Sequence, residues 1–164
     1  MIDWDTLVQN ESEKILNYVN KILGDLDNSK DIVQDAFIAC YRNIGNIDED
    51  YLLSWLYKTA HNKAINFLKK NKRFKFGSIP DLVDRVDIEA DTKKERLNKY
   101  IKEVFCTLKP KHALVLDLQF YQKKSYKEIS EITGLTIPAI ETILVRAKKE
   151  CKKKLQGFKD LGVL

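Results

Sequence analysis

The stretch from Ser125 to Leu155, SYKEISEITGLTIPAIETILVRAKKECKKKL, admits few backbone arrangements. Ser125 followed by Glu128 spells a capping box, in which each side chain satisfies a free N–H at a helix start. Ile129 and Ile132 give that short helix an apolar edge. Gly134 stands where the helix must stop and reverse, in the left-handed conformation that glycine tolerates. Thr136 is placed to cap a second helix, and Pro138 in its first turn gives up an N–H that has no helical partner. The spacing predicts Ile137, Ile140 and Leu144 on the inner face. Thr136, Ala139, Glu141, Thr142, Val145 and Arg146 are left for the outer one. A helical hairpin in an unrelated bundle shares this spacing. The Gly-Leu-Thr turn, the matched caps and the lysine-rich end favour a helix-turn-helix that lays its second helix in the DNA major groove.

Helical periodicity runs through most of the remaining chain, and strand signals are scarce. A first helix is predicted from Trp4 to Leu23, buried through Leu7, Ile15, Tyr18, Val19 and Ile22 and ended by Gly24. Ser29 is read as the cap of a second, Lys30 to Asn43, with Ile32, Val33, Ala36, Phe37 and Cys40 inward. After a GNIDED loop, a third runs from Tyr51 to about Arg73 on Leu52, Trp55, Leu56, Thr59, Ala60, Ala64, Ile65 and Leu68. Residues 74–91 carry Gly77, Pro80 and scattered acids without periodicity, and read as a linker. Thr92 with Glu95 repeats the capping-box pattern, opening a helix with Leu97, Ile101, Val104 and Phe105 inward. Pro110 starts the next, buried through Ala113, Leu114, Leu116, Leu118 and Phe120. The expected fold is all-α, with two small helical domains at 1–73 and 92–164.

The net charge of +5 conceals a strong asymmetry. Residues 1–50 hold four Lys/Arg against eleven Asp/Glu; residues 51–76 hold seven Lys/Arg and no acid; residues 105–164 hold twelve bases against six acids. An acidic segment followed by two basic ones suits a protein that meets a polyanion at two places. Solvated lysine faces explain either basic segment alone less strainedly than both together.

The third helix changes character along its length. Trp55 and Tyr57 offer ring faces, Asn62 and Asn66 offer amides, and Lys69, Lys70, Lys72 and Arg73 offer phosphate contacts. Stacking surfaces, base-edge partners and cations are together what unpaired bases require. Taken singly, a Trp at the position of Trp55 is more often core than base-stacking, and Asn62 is readily a solvated residue.

No carboxylate cluster, nucleophile–base pair or glycine-rich phosphate loop points to an enzyme. Cys40, Cys106 and Cys151 are odd in number and far apart, and His61 and His112 are isolated, so neither a disulfide framework nor a metal or other cofactor is expected. No apolar run approaches the ~20 residues of a membrane span. The N-terminus lacks the basic-then-apolar pattern of a signal peptide, so the cytoplasm is the expected compartment.

Three stretches, DIVQDAFIACYRNI, LLSWLYKTAHNKAINFLKK and SYKEISEITGLTIPAIETILVRAKK, together resemble the bacterial extracytoplasmic-function (ECF) sigma factors of the sigma-70 family, in order and in separation. The resemblance implies a region-2 domain at 1–73, a three-helix-type bundle, and a region-4 domain at 92–164, a four-helix unit ending in the helix-turn-helix. It implies core RNA polymerase and promoter DNA as partners, with an anti-sigma factor masking these surfaces. It places Asp31, Gln34 and Asp35 on the polymerase-docking helix. It places Trp55, Asn62, Asn66, Lys69, Lys70, Lys72 and Arg73 at the −10 element, with Asn62 near the pocket for a flipped base. Thr136, Glu141, Thr142, Val145, Arg146 and Lys149 fall at the −35 element. The chain departs from the pattern at Glu141 and Ile143, near which the family usually carries basic residues, so the −35 preference is expected to be unusual. A stand-alone helix-turn-helix regulator that binds duplex DNA without polymerase is the alternative.

Overall fold

The computed structural model describes residues 3–71 and 93–160. Among these, helices account for nearly all regular structure and no strand occurs. The first three are α1 (Trp4–Leu23), α2 (Leu26–Asn43) and α3 (Leu52–Lys70), with short 3-10 turns at Ile44–Asn46 and Glu49–Tyr51 before α3. The second group comprises α4 (Lys93–Thr107), α5 (Pro110–Leu116), α6 (Tyr126–Thr133) and α7 (Ile137–Asp160). The linker expected at 74–91, the side chains of Lys72 and Arg73, and the Thr92 half of the second capping box lie outside the described residues.

Local chemistry sets most of the boundaries. Asp3 caps α1 through Thr6, and Gly24 closes it in the left-handed region at φ 66°. Asp25 caps α2 by accepting from the Asn28 N–H. Ser29 is therefore not the cap expected from sequence. It lies one turn inside α2, fully buried, with its hydroxyl donating to the Asp25 carbonyl at 2.5 Å. Pro110 begins α5, where its missing N–H costs nothing. A π-helical turn, Asp117–Tyr121, prolongs α5 and is capped by Gln122; the next residue, Lys123, has a left-handed φ of 56°. The Lys124 N–H then bonds back to the Leu118 carbonyl at 2.9 Å, closing the turn around Lys123.

The two groups of helices share one core. Ile15, Tyr18, Val19 and Ile22 of α1 are completely buried, in a cluster continuous with Val104, Phe105 and Leu108 and with Ala113 to Leu116. Burying each large aliphatic side chain contributes about 1.5–3 kcal/mol. The Tyr18 and Phe105 rings meet edge-on at 6.0 Å. The Lys102 ammonium donates to the Leu23 carbonyl at 2.9 Å, placing a cation at the negative end of α1. Polar contacts continue the seam. Lys21 pairs with buried Asp117 at 2.8 Å, and the Gln122 amide donates both to Asp117 (2.9 Å) and to the Tyr57 hydroxyl (2.8 Å).

This packing corrects four expectations of burial. Tyr57 is 1 % exposed, so its ring is core, with only its hydroxyl turned to a polar partner. Leu97 and Phe120, expected inward, are 50 % and 42 % exposed. Ile137 is also exposed, because it is the first residue of α7 and precedes the face that packs on α5 and α6. The inner face is instead Ile140, Ile143, Leu144 and Ala147, an i, i+3, i+4, i+7 set.

Candidate nucleic-acid interface

Helix α3 presents one continuous outer stripe. Asn62, Asn66, Lys69 and Lys70 are all exposed, and Trp55 stands half-buried at its start, packed against the core with part of its ring accessible. Lys58, not singled out from sequence, falls between Trp55 and Asn62 and is exposed as well. Spacing of i, i+3, i+7, i+11 and i+14 puts Trp55, Lys58, Asn62, Asn66 and Lys69 on one side of the helix. The lysines occupy the last turn, where cations also meet the negative helix end.

What orients this stripe is the buried side of the same helix. The His61 Nδ1 and Tyr18 hydroxyl share a 2.7 Å hydrogen bond across α1 and α3. Burial pushes the imidazole down to about 4, so it is neutral at pH 7 and fits an apolar interior. Burial likewise raises the Tyr18 phenol well above its ordinary value, reinforced by Asp117. His61 and Tyr57 thus belong to the packing that aims Asn62 and Asn66 outward. Sequence periodicity alone gave no sign of this, since their partners lie on other elements.

The second surface is the helix-turn-helix, formed by α6 and α7. The Glu128 carboxylate accepts from the Ser125 N–H at 2.8 Å and the Ser125 hydroxyl donates to it at 2.9 Å, while the Glu128 N–H returns to the Ser125 oxygen at 3.3 Å. The Ser125 N–H, the Lys124 ammonium and the Ser125 hydroxyl together hold the Glu128 carboxyl down at about 2. Gly134 takes φ 68°, and the Tyr51 ring lies across it, where a β-carbon would run into Tyr51 Cε1. Thr136 accepts the Ala139 N–H at 3.4 Å as the cap of α7. Thr136, Glu141, Thr142, Val145, Arg146 and Lys149 are all exposed, along one face. Ile143 is 8 % exposed, which makes it a core residue and not a base-reading one.

The third surface is the outside of α2. Asp31, Gln34 and Asp35 are exposed side by side; Asp35 is within 3.9 Å of Lys63 and remains largely in solvent. Beside Gln34 runs an apolar groove of about 430 Å³ between α1 and α2, floored by Val8, Leu16, Val33 and Phe37. An acidic ridge thus flanks an apolar groove, and sequence reading had found only the ridge.

The buried thiols of Cys40 and Cys106 are pushed up to about 11 and about 12 by burial, so they stay protonated near neutral pH. Among the described residues, no three His, Cys, Asp or Glu side chains gather into a metal-binding group. No helix among them is long and apolar enough to cross a membrane.

An amide-and-lysine stripe on one helix and a capped helix-turn-helix elsewhere make two separate exposed surfaces on one helical protein. Family comparison narrows this further. Residues 7–74 match the sigma-70 region 2 family and residues 99–151 match the sigma-70 region 4 family, in that order. The chain is 28 % identical to RNA polymerase sigma factor YlaC of Bacillus subtilis (strain 168), over 90 % of this chain and 89 % of the relative. It is 26 % identical to ECF RNA polymerase sigma factor SigW of the same organism, over 89 % and 85 %. In fold it resembles the sigma factor RpoE of Bartonella quintana, solved with the anti-sigma factor NepR, with a TM-score of 0.55 and 15 % identity over 95 % of this chain and 98 % of the other. The chain belongs to the sigma-70 family of sigma factors, in its extracytoplasmic-function group.

Proposed function

We infer that this chain binds core RNA polymerase and directs it to promoters, as a sigma factor of the extracytoplasmic-function group. The observation that carries the reading is the ordered pair of region 2 and region 4 matches, on surfaces where amide, lysine and recognition-helix residues are exposed. Such proteins make and break no covalent bond; their work is binding energy directed at DNA. Residues 1–73 act as the polymerase-docking and −10 domain and 92–164 as the −35 domain, with 74–91 joining them.

In this reading Asp31, Gln34 and Asp35 dock on the polymerase, and the groove beside them takes an apolar side chain of the same partner. Asn62 and Asn66 read bases of the melted −10 strand, with Trp55 available for stacking. Lys69 and Lys70, continued by Lys72 and Arg73, follow its backbone. Unstacking a base costs a few kcal/mol, which these contacts offset. Thr136, Glu141, Thr142, Val145, Arg146 and Lys149 face the −35 duplex, where the cations supply the salt-dependent part of affinity. The solved relative is held by an anti-sigma factor, and a partner of that kind is expected for this chain. We place it with polymerase in the cytoplasm.

In vitro transcription tests the proposal. Purified protein is added to sigma-free core polymerase on fragmented genomic DNA from its own source, and transcript starts are mapped. Discrete starts sharing two upstream elements support it. No starts, together with tight duplex binding by the protein alone, would establish the stand-alone regulator instead.

A further inference from the structure

We propose that α7 selects thymine through its 5-methyl group, using Val145 and Thr142, next to a base pair whose amino group is accepted by Glu141. The inference rests on the reading of α7 as the −35 recognition helix, and adds the chemistry of the bases it takes.

Val145 is 67 % exposed, the most exposed large hydrophobic side chain among the described residues. Its nearest neighbours on that face are Glu141, Thr142, Arg146 and Lys149, with exposed Ile137 two turns earlier. In the major groove the thymine methyl is the apolar feature of the base edges, and small apolar side chains meet it. Thr142 is three residues earlier on the same face. Its hydroxyl donates to the Pro138 carbonyl at 2.9 Å, a bond internal to the helix. With the hydroxyl proton committed and χ1 restricted by β-branching, the hydroxyl can only accept and the methyl is the group Thr142 has for an apolar partner. Two methyl-bearing side chains therefore stand together on the reading face.

Glu141 adjoins both. It is exposed, its i−4 and i+4 neighbours are Ile137 and Val145, and no ion pair or hydrogen bond from the described residues satisfies its carboxylate. Phosphates repel it, so it is compatible with a groove only where it meets a donor. The donors there are cytosine N4 and adenine N6. Arg146 and Lys149 on the following turns supply the cations that hold the backbone. Side chains at i, i+3 and i+4 separations stand about 5–6 Å apart, close to the spacing of one to two base pairs. The three residues thus read a short run that combines an amino-bearing base with one or two adjacent thymines. Ile143, being buried, adds nothing to it.

The test uses full-length protein assembled with core polymerase, selecting bound duplexes from a library randomised across the upstream element. Each thymine of the enriched sequence is then replaced by deoxyuridine, which removes only the methyl. The expected result is a loss of about fourfold in affinity at one or two positions, the scale of one buried methyl group. Val145→Ala should abolish the sensitivity at one of them. Thr142→Ser, which keeps the hydroxyl bond and lacks the methyl, should abolish it at the other, and Glu141→Gln should relax the neighbouring adenine-or-cytosine preference. An enriched element that tolerates deoxyuridine at every position overturns the proposal and leaves the −35 reading standing. Failure to enrich any element overturns both.

Discussion

The Lys21 ammonium lies 2.8 Å from a carboxylate oxygen of Asp117 that is almost wholly shielded from water, and the pair ties α1 to the turn ahead of the helix-turn-helix. The other Asp117 oxygen takes the Gln122 amide, and the Lys21 cation lies 4.1 Å above the Tyr121 ring. Removing one member of such a pair leaves a buried charge poorly compensated. Lys21→Met should cost about 3 kcal/mol, read from the urea midpoint. Lys21→Met combined with Asp117→Leu should cost distinctly less than the sum of the single changes. Strict additivity would show that the two charges are not coupled.

His61 predicts a specific acid sensitivity. Its folded value of about 4 lies below the ordinary 6.5, so the unfolded chain takes up a proton that the folded one refuses. Stability should therefore fall as pH drops from 6.5 toward 4, by roughly 3 kcal/mol in all, and level off below that. The Glu128 contribution is lost in a lower window, between 4.5 and about 2. Urea titrations at pH 7, 5 and 4 on the native chain and on His61→Gln separate the two. The variant should lose the upper slope, and an unchanged slope would assign it elsewhere.

Lys123 occupies a position that glycine fills at lower cost, since its φ of 56° is left-handed. Lys123→Gly should stabilise the protein by about 0.5–1 kcal/mol, a rise of about 2 °C in melting temperature. A fall in melting temperature would mean that the Lys123 side chain contributes more than its backbone strain removes.

Asn62 and Asp35 separate two steps of initiation. Asn62→Ala should impair promoter opening, followed by permanganate reactivity of melted thymines, while co-purification with core polymerase is unchanged. Asp35→Lys should do the reverse, weakening assembly with core in a pull-down. Equal loss of core binding in both variants contradicts the division of roles.

Local codes made much of this molecule legible in its sequence. The Ser125–Glu128 box, the Gly134 turn and the Pro110 start each depend on residues within one turn of each other, and each stands where the pattern placed it. Burial was less legible wherever its cause lies far along the chain. Tyr57 and His61 look like surface residues of a basic helix until Tyr18 and Gln122 arrive from other elements. Ile137, expected inward, is exposed, and Ile143, which the pattern assigns to neither face, is buried, because contact with α5 and α6 decides which residues the helix hides. Ser29 was mistaken for a cap because Asp25, four residues earlier, serves equally well by composition. The recognition-helix face was readable as a whole, but the use of the Thr142 hydroxyl was not, since it depends on a rotamer.

The Tyr51 ring laid over Gly134 has a consequence for how promoter choice can be re-engineered. Grafting a different helix-turn-helix onto this chain transplants a turn as well as a set of base-reading side chains, and the host has shaped its own tyrosine to a bare α-carbon. Any donor with a side chain at that turn must displace the Tyr51 ring to fit. Positions 51 and 134 are thus a compatibility key, to be exchanged together.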